Sequence, residues 1–347
     1  MIEGRSDGNL YTRWGTNPSI QELEQGLAGL ENAEAALGFA SGMAAISATL
    51  LAHGRNGIVC VGDLYGGTQE LLKNHCQALG IPVTFLFREE QDQLAETLNE
   101  PGKLVYFETP ANPNMAILDI RTIAETAHQH GALVAVDNTF ASPINQKPLE
   151  LGADLVLHSA TKYLGGHSDL TAGALMTSAS LAKPVVAWRK NLGQLIAPET
   201  AALLSRSLRT LPLRVRQHNE NAMAVAQAME QHPKITKVHY PGLPSFEGHE
   251  LAKRQMTGFG GMLSIEVKGG QQAAEKVADS LNVFLLATSL GGVESLVSQP
   301  SATSHHGLSR EERLKRGIGD GMLRLSVGLE DTADLIQDLN DALTRGC

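Results

Sequence analysis

No apolar run in this chain is long enough to cross a membrane, and Met1–Arg5 lacks the apolar core of a signal peptide. A cytoplasmic protein with no membrane role is therefore expected. Cysteine is scarce: Cys60 falls in a strand-like run, Cys76 in a helix-like one, and Cys347 at the terminus. No two of them have metal-binding or redox spacing, so reduced thiols are the expected state. Positive charge is also in deficit. With 28 Lys+Arg against 37 Asp+Glu, the formal net charge is −9, which argues against nucleic acid as the main partner. No G-x-G-x-x-G follows the first strand, so a Rossmann dinucleotide enzyme fails despite α/β alternation. Repeats and low-complexity segments are absent as well.

What remains is a globular composition, 42% hydrophobic and 19% charged, in 347 residues, a length that implies two domains. Residues 20–53 read as helical, interrupted by Gly38–Gly42. Strands and helices then alternate. Strands are expected at Gly57–Gly62, Val83–Phe87, Lys103–Glu108, Leu133–Val136, Leu155–Leu157 and Ala172–Met176, with helices at Gln69–Ala78 and Ile120–His130. This alternation implies a mostly parallel sheet covered by helices. After Arg206–Arg216 the pattern changes. A helix over Asn219–Gln231 leads into strands at Ile235–Tyr240, Met262–Val267, Val283–Leu286 and Leu323–Val327, with helices at Gln271–Ser280 and Thr332–Thr344. The reading is an α/β large domain over 1–215 and a smaller α+β domain with an antiparallel sheet over 216–347.

The chemistry concentrates at two strand exits. Asp137 follows Leu133–Val136, and Lys162 follows Leu155–Leu157 in the run His158-Ser159-Ala160-Thr161-Lys162-Tyr163. Sheets of this class bind ligands at such ends. A lysine that forms a Schiff base, with an aspartate on a pyridinium nitrogen, is the protein's share of pyridoxal phosphate (PLP) chemistry. Ser41-Gly42-Met43 opens an apolar helical run, where free N–H groups and the helix dipole favour a phosphate. Ser159 and Thr161 add hydroxyls, both on one side if that segment is extended. Each feature alone has an ordinary explanation: a helix cap, a turn aspartate, a solvated lysine. Their joint occurrence carries the argument. His305-His306 has no third ligand at metal spacing and reads as solvated loop, and Trp188 reads as a packing residue.

Eight runs recur in order: Tyr11-Thr12-Arg13, Ala40–Ala45, Asp63–Thr68, Glu108–Pro113, Val136–Phe140, Ser159–Tyr163, Ser289–Gly292 and Leu323–Gly328. Together the chain strongly resembles the Cys/Met-metabolism family of PLP enzymes. The resemblance implies a fold-type I, aspartate aminotransferase-like large domain with a small C-terminal domain, and PLP as cofactor. It implies a homotetramer, a dimer of dimers, acting on a small amino-acid substrate. Lys162 would carry the cofactor and shuttle protons, Asp137 would pair with the ring nitrogen, and Tyr65 would stack on the ring and serve as acid or base. Gly42, Met43, Ser159 and Thr161 would hold the phosphate, with Tyr11 and Arg13 reaching it from a neighbouring subunit. Asn112 would contact the 3-hydroxyl side, Arg324 would clamp the substrate carboxylate, and Ser289 would position the carboxylate or Lys162.

The implied activity is γ-elimination or γ-replacement on sulfur amino acids or homoserine esters, of the cystathionine γ-lyase or cystathionine γ-synthase type. Runners-up are an O-acetylhomoserine sulfhydrylase or a methionine γ-lyase, and outside enzymes a PLP-binding degenerate or regulatory homologue. Gly67 stands where methionine γ-lyases typically carry cysteine, and Thr288 where animal cystathionine γ-lyases have an acid. The run Tyr11–Pro18 is one residue longer than is usual in the family. The arm before it is short, and Ile2–Arg5 looks like a protease-cleavage linker, so weakened tetramer assembly or lower cofactor occupancy is expected.

Overall fold

The computed structural model describes residues 11–303 and 307–346. The Ile2–Arg5 run, His305-His306 and Cys347 lie outside them. Seven strands form the first sheet: β1 (Ala35–Phe39), β2 (Ile58–Val61), β3 (Val83–Leu86), β4 (Leu104–Glu108), β5 (Leu133–Asp137), β6 (Leu155–His158) and β7 (Gly173–Thr177). Their order is β1-β7-β6-β5-β4-β2-β3, and β6, β5, β4, β2 and β3 all run parallel. All residues of β2, β4 and β6 are buried, as expected of parallel strands covered on both faces.

One expectation fails here. Residues 35–37, read as helical, and Gly38 and Phe39, read as the start of the helical run's interruption, together form β1, paired antiparallel with β7. Ala-Ala-Leu-Gly-Phe has little strand character of its own, and long-range contacts decide its state. Glu24 Oε1 accepts the Gly38 N–H at 3.0 Å, while Arg189 Nη1 donates to the Gly38 carbonyl at 2.9 Å and also to Glu24. The helix Pro18–Glu31 supplies Glu24 and starts with the Asn17 side chain accepting from the Ser19 N–H, with Pro18 at its first position.

The second sheet comprises β8 (Ile235–His239), β9 (Met262–Val267), β10 (Leu285–Leu286), β11 (Leu296–Ser298) and β12 (Met322–Ser326), in the order β10-β11-β12-β9-β8. It is antiparallel except for the β10–β11 pair. Val215, at the expected domain boundary, lies inside the helix Leu211–Glu230. That helix is shared: Leu211 and Val215 pack with residues of the helix Pro18–Glu31, whereas Ala222, Val225 and Met229 pack under the second sheet. Trp188 packs against the core, as read. Cys60 and Cys76 are buried and free. Among the described residues no helix is long and apolar enough to cross a membrane.

Candidate active site

The exit ends of β4, β5 and β6 open into one cavity of about 710 Å³. Gly42, Met43, Ser159 and Thr161 line it on the side of the helix Gly42–His53, together with Tyr65. Asn112, Asp137, Lys162, Ser289 and Arg324 complete the expected set. Residues far apart in the chain thus converge on one volume of cofactor-and-substrate size.

The helix Gly42–His53 presents an open N-terminus. Ser41 takes up two early N–H groups, that of Ala44 through its hydroxyl at 3.1 Å and that of Ala45 through its carbonyl. The N–H groups of Gly42 and Met43 stay outside the helix's own bonding, available to an anion. Glycine is required at 42 because a Cβ there would lie 2.9 Å from Ser159 Cβ and 3.0 Å from its Cα. The Ser159–Lys162 segment is a turn rather than an extended stretch. Its two hydroxyl residues still both reach the cavity wall, although Thr161 Oγ1 is also tied to the Ala172 backbone.

Asp137 ends β5 and is 9% exposed. Its Oδ1 accepts the Thr139 N–H at 2.9 Å, and no ion pair to it forms among the described residues. Burial raises its carboxyl above the usual range, opposed by the Thr139 hydrogen bonds. A buried carboxylate without a cation fits a protonated ring nitrogen.

Lys162 follows β6. Its Nζ donates to Ser289 Oγ at 2.9 Å, and burial, helped by the nearby Arg324 charge, lowers its amine from 10.5 to about 8. Ser289 has φ of 89°, a region that costs a non-glycine residue of order 1–3 kcal/mol. In that conformation its hydroxyl meets Lys162 while its carbonyl accepts from Arg324 Nη2 at 3.0 Å. Arg324, on β12 and 8% exposed, also donates through Nη1 to Asn112 Oδ1 at 2.9 Å. It has no carboxylate partner among the described residues, and burial lowers its guanidinium to about 10. A buried, unneutralised guanidinium at a cavity wall awaits a planar anion.

Tyr11 and Arg13 are not brought to this cavity within one chain. Arg13 Nη1 donates to the Lys190 carbonyl at 3.0 Å, and its guanidinium lies 5.4 Å from the Tyr11 ring centroid. Several residues lining the site had no assigned role, Glu108 among them. Glu108 ends β4, lines the cavity, and accepts the Tyr65 N–H at 2.8 Å. Its place in the Glu108–Pro113 run was visible in sequence, but nothing local signals its carboxylate partner on β5.

The model of the Cys/Met metabolism PLP-dependent enzyme family matches residues 1–344. This chain belongs to that family. It is a PLP-dependent enzyme of cysteine and methionine metabolism, and the open helix end, the cation-free Asp137 and the lowered Lys162 amine fit the cofactor's phosphate, ring nitrogen and aldehyde. An L-methionine gamma-lyase of Pseudomonas deceptionensis is 44% identical over 345 residues, covering 98% of this chain and 86% of that protein. A cystathionine gamma-lyase of Bacillus subtilis is 41% identical over 342 residues, covering 98% and 90%. The crystal structure of cystathionine gamma synthase from Xanthomonas oryzae pv. oryzae, in complex with aminoacrylate and cysteine, has a TM-score of 0.94 at 42% identity, covering 99% and 89% of the two chains. That likeness agrees with the fold-type I architecture.

Proposed function

We propose that this enzyme catalyses γ-elimination or γ-replacement with cystathionine as substrate or product, a cystathionine γ-lyase or γ-synthase type of reaction. The observation that carries this reading is the pairing of the Lys162 amine with the carboxylate-free Arg324 guanidinium, both held by Ser289. That pairing suits an α-amino acid fixed by its carboxylate with its Cα beside a base. The relatives' names divide among several reactions at 41% to 44% identity and do not choose between them. Gly67 does bear on the choice. A Cβ there would lie 2.7 Å from Tyr65 Cε1, so a side chain at 67 requires Tyr65 to move, which disfavours the methionine γ-lyase arrangement.

When bound, PLP supplies the electron sink for charge released at the substrate α-carbon. Asp137 holds the ring nitrogen protonated. Gly42, Met43, Ser159 and Thr161 hold the phosphate, and Asn112 faces the 3-hydroxyl side. Arg324 grips the substrate carboxylate in two-point fashion. Lys162, free base above about pH 8, takes the α-proton, and a second proton loss at the β-carbon drives out the γ-substituent. Tyr65 or Lys162 protonates the departing group. Water or an incoming thiol then separates elimination from replacement. We further propose a homotetramer in which Tyr11 and Arg13 serve a neighbour's phosphate site.

The test is release of 2-oxobutyrate, ammonia and hydrogen sulfide from cystathionine, cysteine, methionine and O-acetylhomoserine, alongside the visible spectrum. Cystathionine turnover above the others, or cystathionine formation from O-acetylhomoserine and cysteine, supports the reading. Turnover retained by Lys162→Ala would refute it.

A further inference from the structure

Glu108 and Asp137 are neighbours in the sheet. They are register partners on the parallel strands β4 and β5, and they are 7% and 9% exposed. Both line the same cavity. No Lys or Arg pairs with either among the described residues, and Glu108 spends Oε1 on the Tyr65 N–H. Tyr106, two residues earlier on β4 and so on the same face as Glu108, is fully buried with its hydroxyl facing both carboxylates. Two adjacent carboxylates in such a place cannot both ionise at moderate cost.

We propose that Glu108 is a positioning residue that works as a neutral carboxylic acid, holding Tyr65 through its backbone while leaving Asp137 as the pair's single negative charge. The proposal rests on the PLP reading of the cavity but concerns a part of it that reading does not use. If Glu108 were the anion, the charge would sit at the Tyr65 anchor and not where the ring nitrogen needs it. Keeping the proton on Glu108 leaves Asp137 charged and unneutralised until the cofactor arrives.

The groups facing Glu108 support this assignment. Burial is the largest influence raising its carboxyl well above the usual range, with the Asp137 charge second and Asp63 also adding repulsion. The Tyr65 N–H and the Tyr106 hydroxyl act in the opposite direction. For Asp137 the Thr139 hydrogen bonds are the main influence opposing burial, with His158, on β6, and the Tyr106 hydroxyl acting the same way. Cys60, on β2, is buried and pushed up, so it contributes no thiolate. Lys162 and Arg324 stand on the cavity wall, turned to Ser289 and Asn112.

The sign for stability follows. A carboxyl raised in the folded state binds its proton more tightly there than in the unfolded chain. Folding stability therefore falls as pH rises from the unfolded carboxylate value, about 4.3, toward the folded one. Glu108→Gln keeps the shape and the acceptor for Tyr65 but cannot titrate.

The experiment melts the cofactor-free full chain as wild type and Glu108→Gln from about pH 5 to about pH 9. The expected result is a Tm advantage for Glu108→Gln that widens as pH rises. A difference that is constant with pH, or that reverses, overturns the neutral-acid assignment. A second arm measures PLP affinity and kcat of Glu108→Gln and Glu108→Ala. Glu108→Gln should stay within about threefold of wild type in both, while Glu108→Ala, which removes the acceptor for Tyr65, loses about tenfold in kcat. A Glu108→Gln protein that loses PLP a hundredfold would show that the glutamate charge itself is needed. Because the melting arm contains no cofactor and no substrate, it stands or falls separately from the proposed reaction.

Discussion

Arg324 puts the most chemistry into one side chain. Its two hydrogen bonds go to neutral oxygens, those of Asn112 and Ser289, so its charge is held in place without being neutralised. Lysine keeps the charge but not the planar fork. Arg324→Lys is therefore expected to raise KM for an amino-acid substrate by about one to two orders of magnitude, equivalent to about 1.4–2.8 kcal/mol, with the cofactor retained. Steady-state kinetics and the visible spectrum check both halves. Lys162 sets the second expectation. With its amine at about 8, reaction of the cofactor-free protein with PLP should accelerate as pH rises and level off above about pH 8. An ordinary lysine would keep accelerating toward pH 10. In Arg324→Gln, where a neighbouring positive charge is gone, the midpoint should move upward. Stopped-flow absorbance across that range gives the profile. Lys162 and Asp137 were legible in sequence because each lies at or just beyond the end of an apolar strand, whereas Arg324, in the middle of β12, was reached only through the family resemblance of the Leu323–Gly328 run. Glu108 was not, since its meaning depends on a partner on the next strand, 29 positions away by the numbering of the paired residues.

At the scale of elements, legibility followed hydrophobic pattern. The parallel strands β2, β4, β5 and β6 are short β-branched or aromatic runs between turns and were read within one or two residues. The two-residue β10 and three-residue β11 carry too few residues for a period, and β11 was missed. The case of β1 is more instructive. Its alanines and glycine favour no strand, and its identity is imposed by β7 on one side and by Glu24 and Arg189 around Gly38. Arg189 is 3% exposed, so removing it strands a partly buried carboxylate. Arg189→Met is expected to destabilise the protein by about 3–5 kcal/mol, while the double change with Glu24→Leu recovers much of that loss. Thermal or urea unfolding of the two variants decides it. A double variant no better than the single one would mean that the Gly38 hydrogen bonds, not the buried charge, hold the strand.

At the scale of the whole molecule, one chain brings together at the cavity every expected site residue except Tyr11 and Arg13, among the described residues. Arg13 and Trp14 lie against the helix Ala179–Asn191 of their own chain, with Arg13 on the Lys190 carbonyl and Lys190 Nζ 4.9 Å from the Trp14 ring centroid, and Tyr11 packs edge-on against Trp14. The phosphate end of the cavity has hydroxyls and N–H groups but no cation from its own Gly42, Met43, Ser159 or Thr161. A dianionic phosphate is better held with a guanidinium added. Exchange between protomers predicts complementation. Lys162→Ala has no nucleophilic amine but an intact Arg13, and Arg13→Ala has the reverse. Mixed after dissociation and reassembled at equal amounts, they form hybrid pairs in which one site has both residues, restoring roughly a quarter of wild-type sites. Recovery of activity in the mixture, absent from either protein alone, is the expected result. If Arg13 acted only within its own chain, mixing would restore nothing beyond the average of the two variants, and Arg13 would be an ordinary surface contact of the Ala179–Asn191 helix.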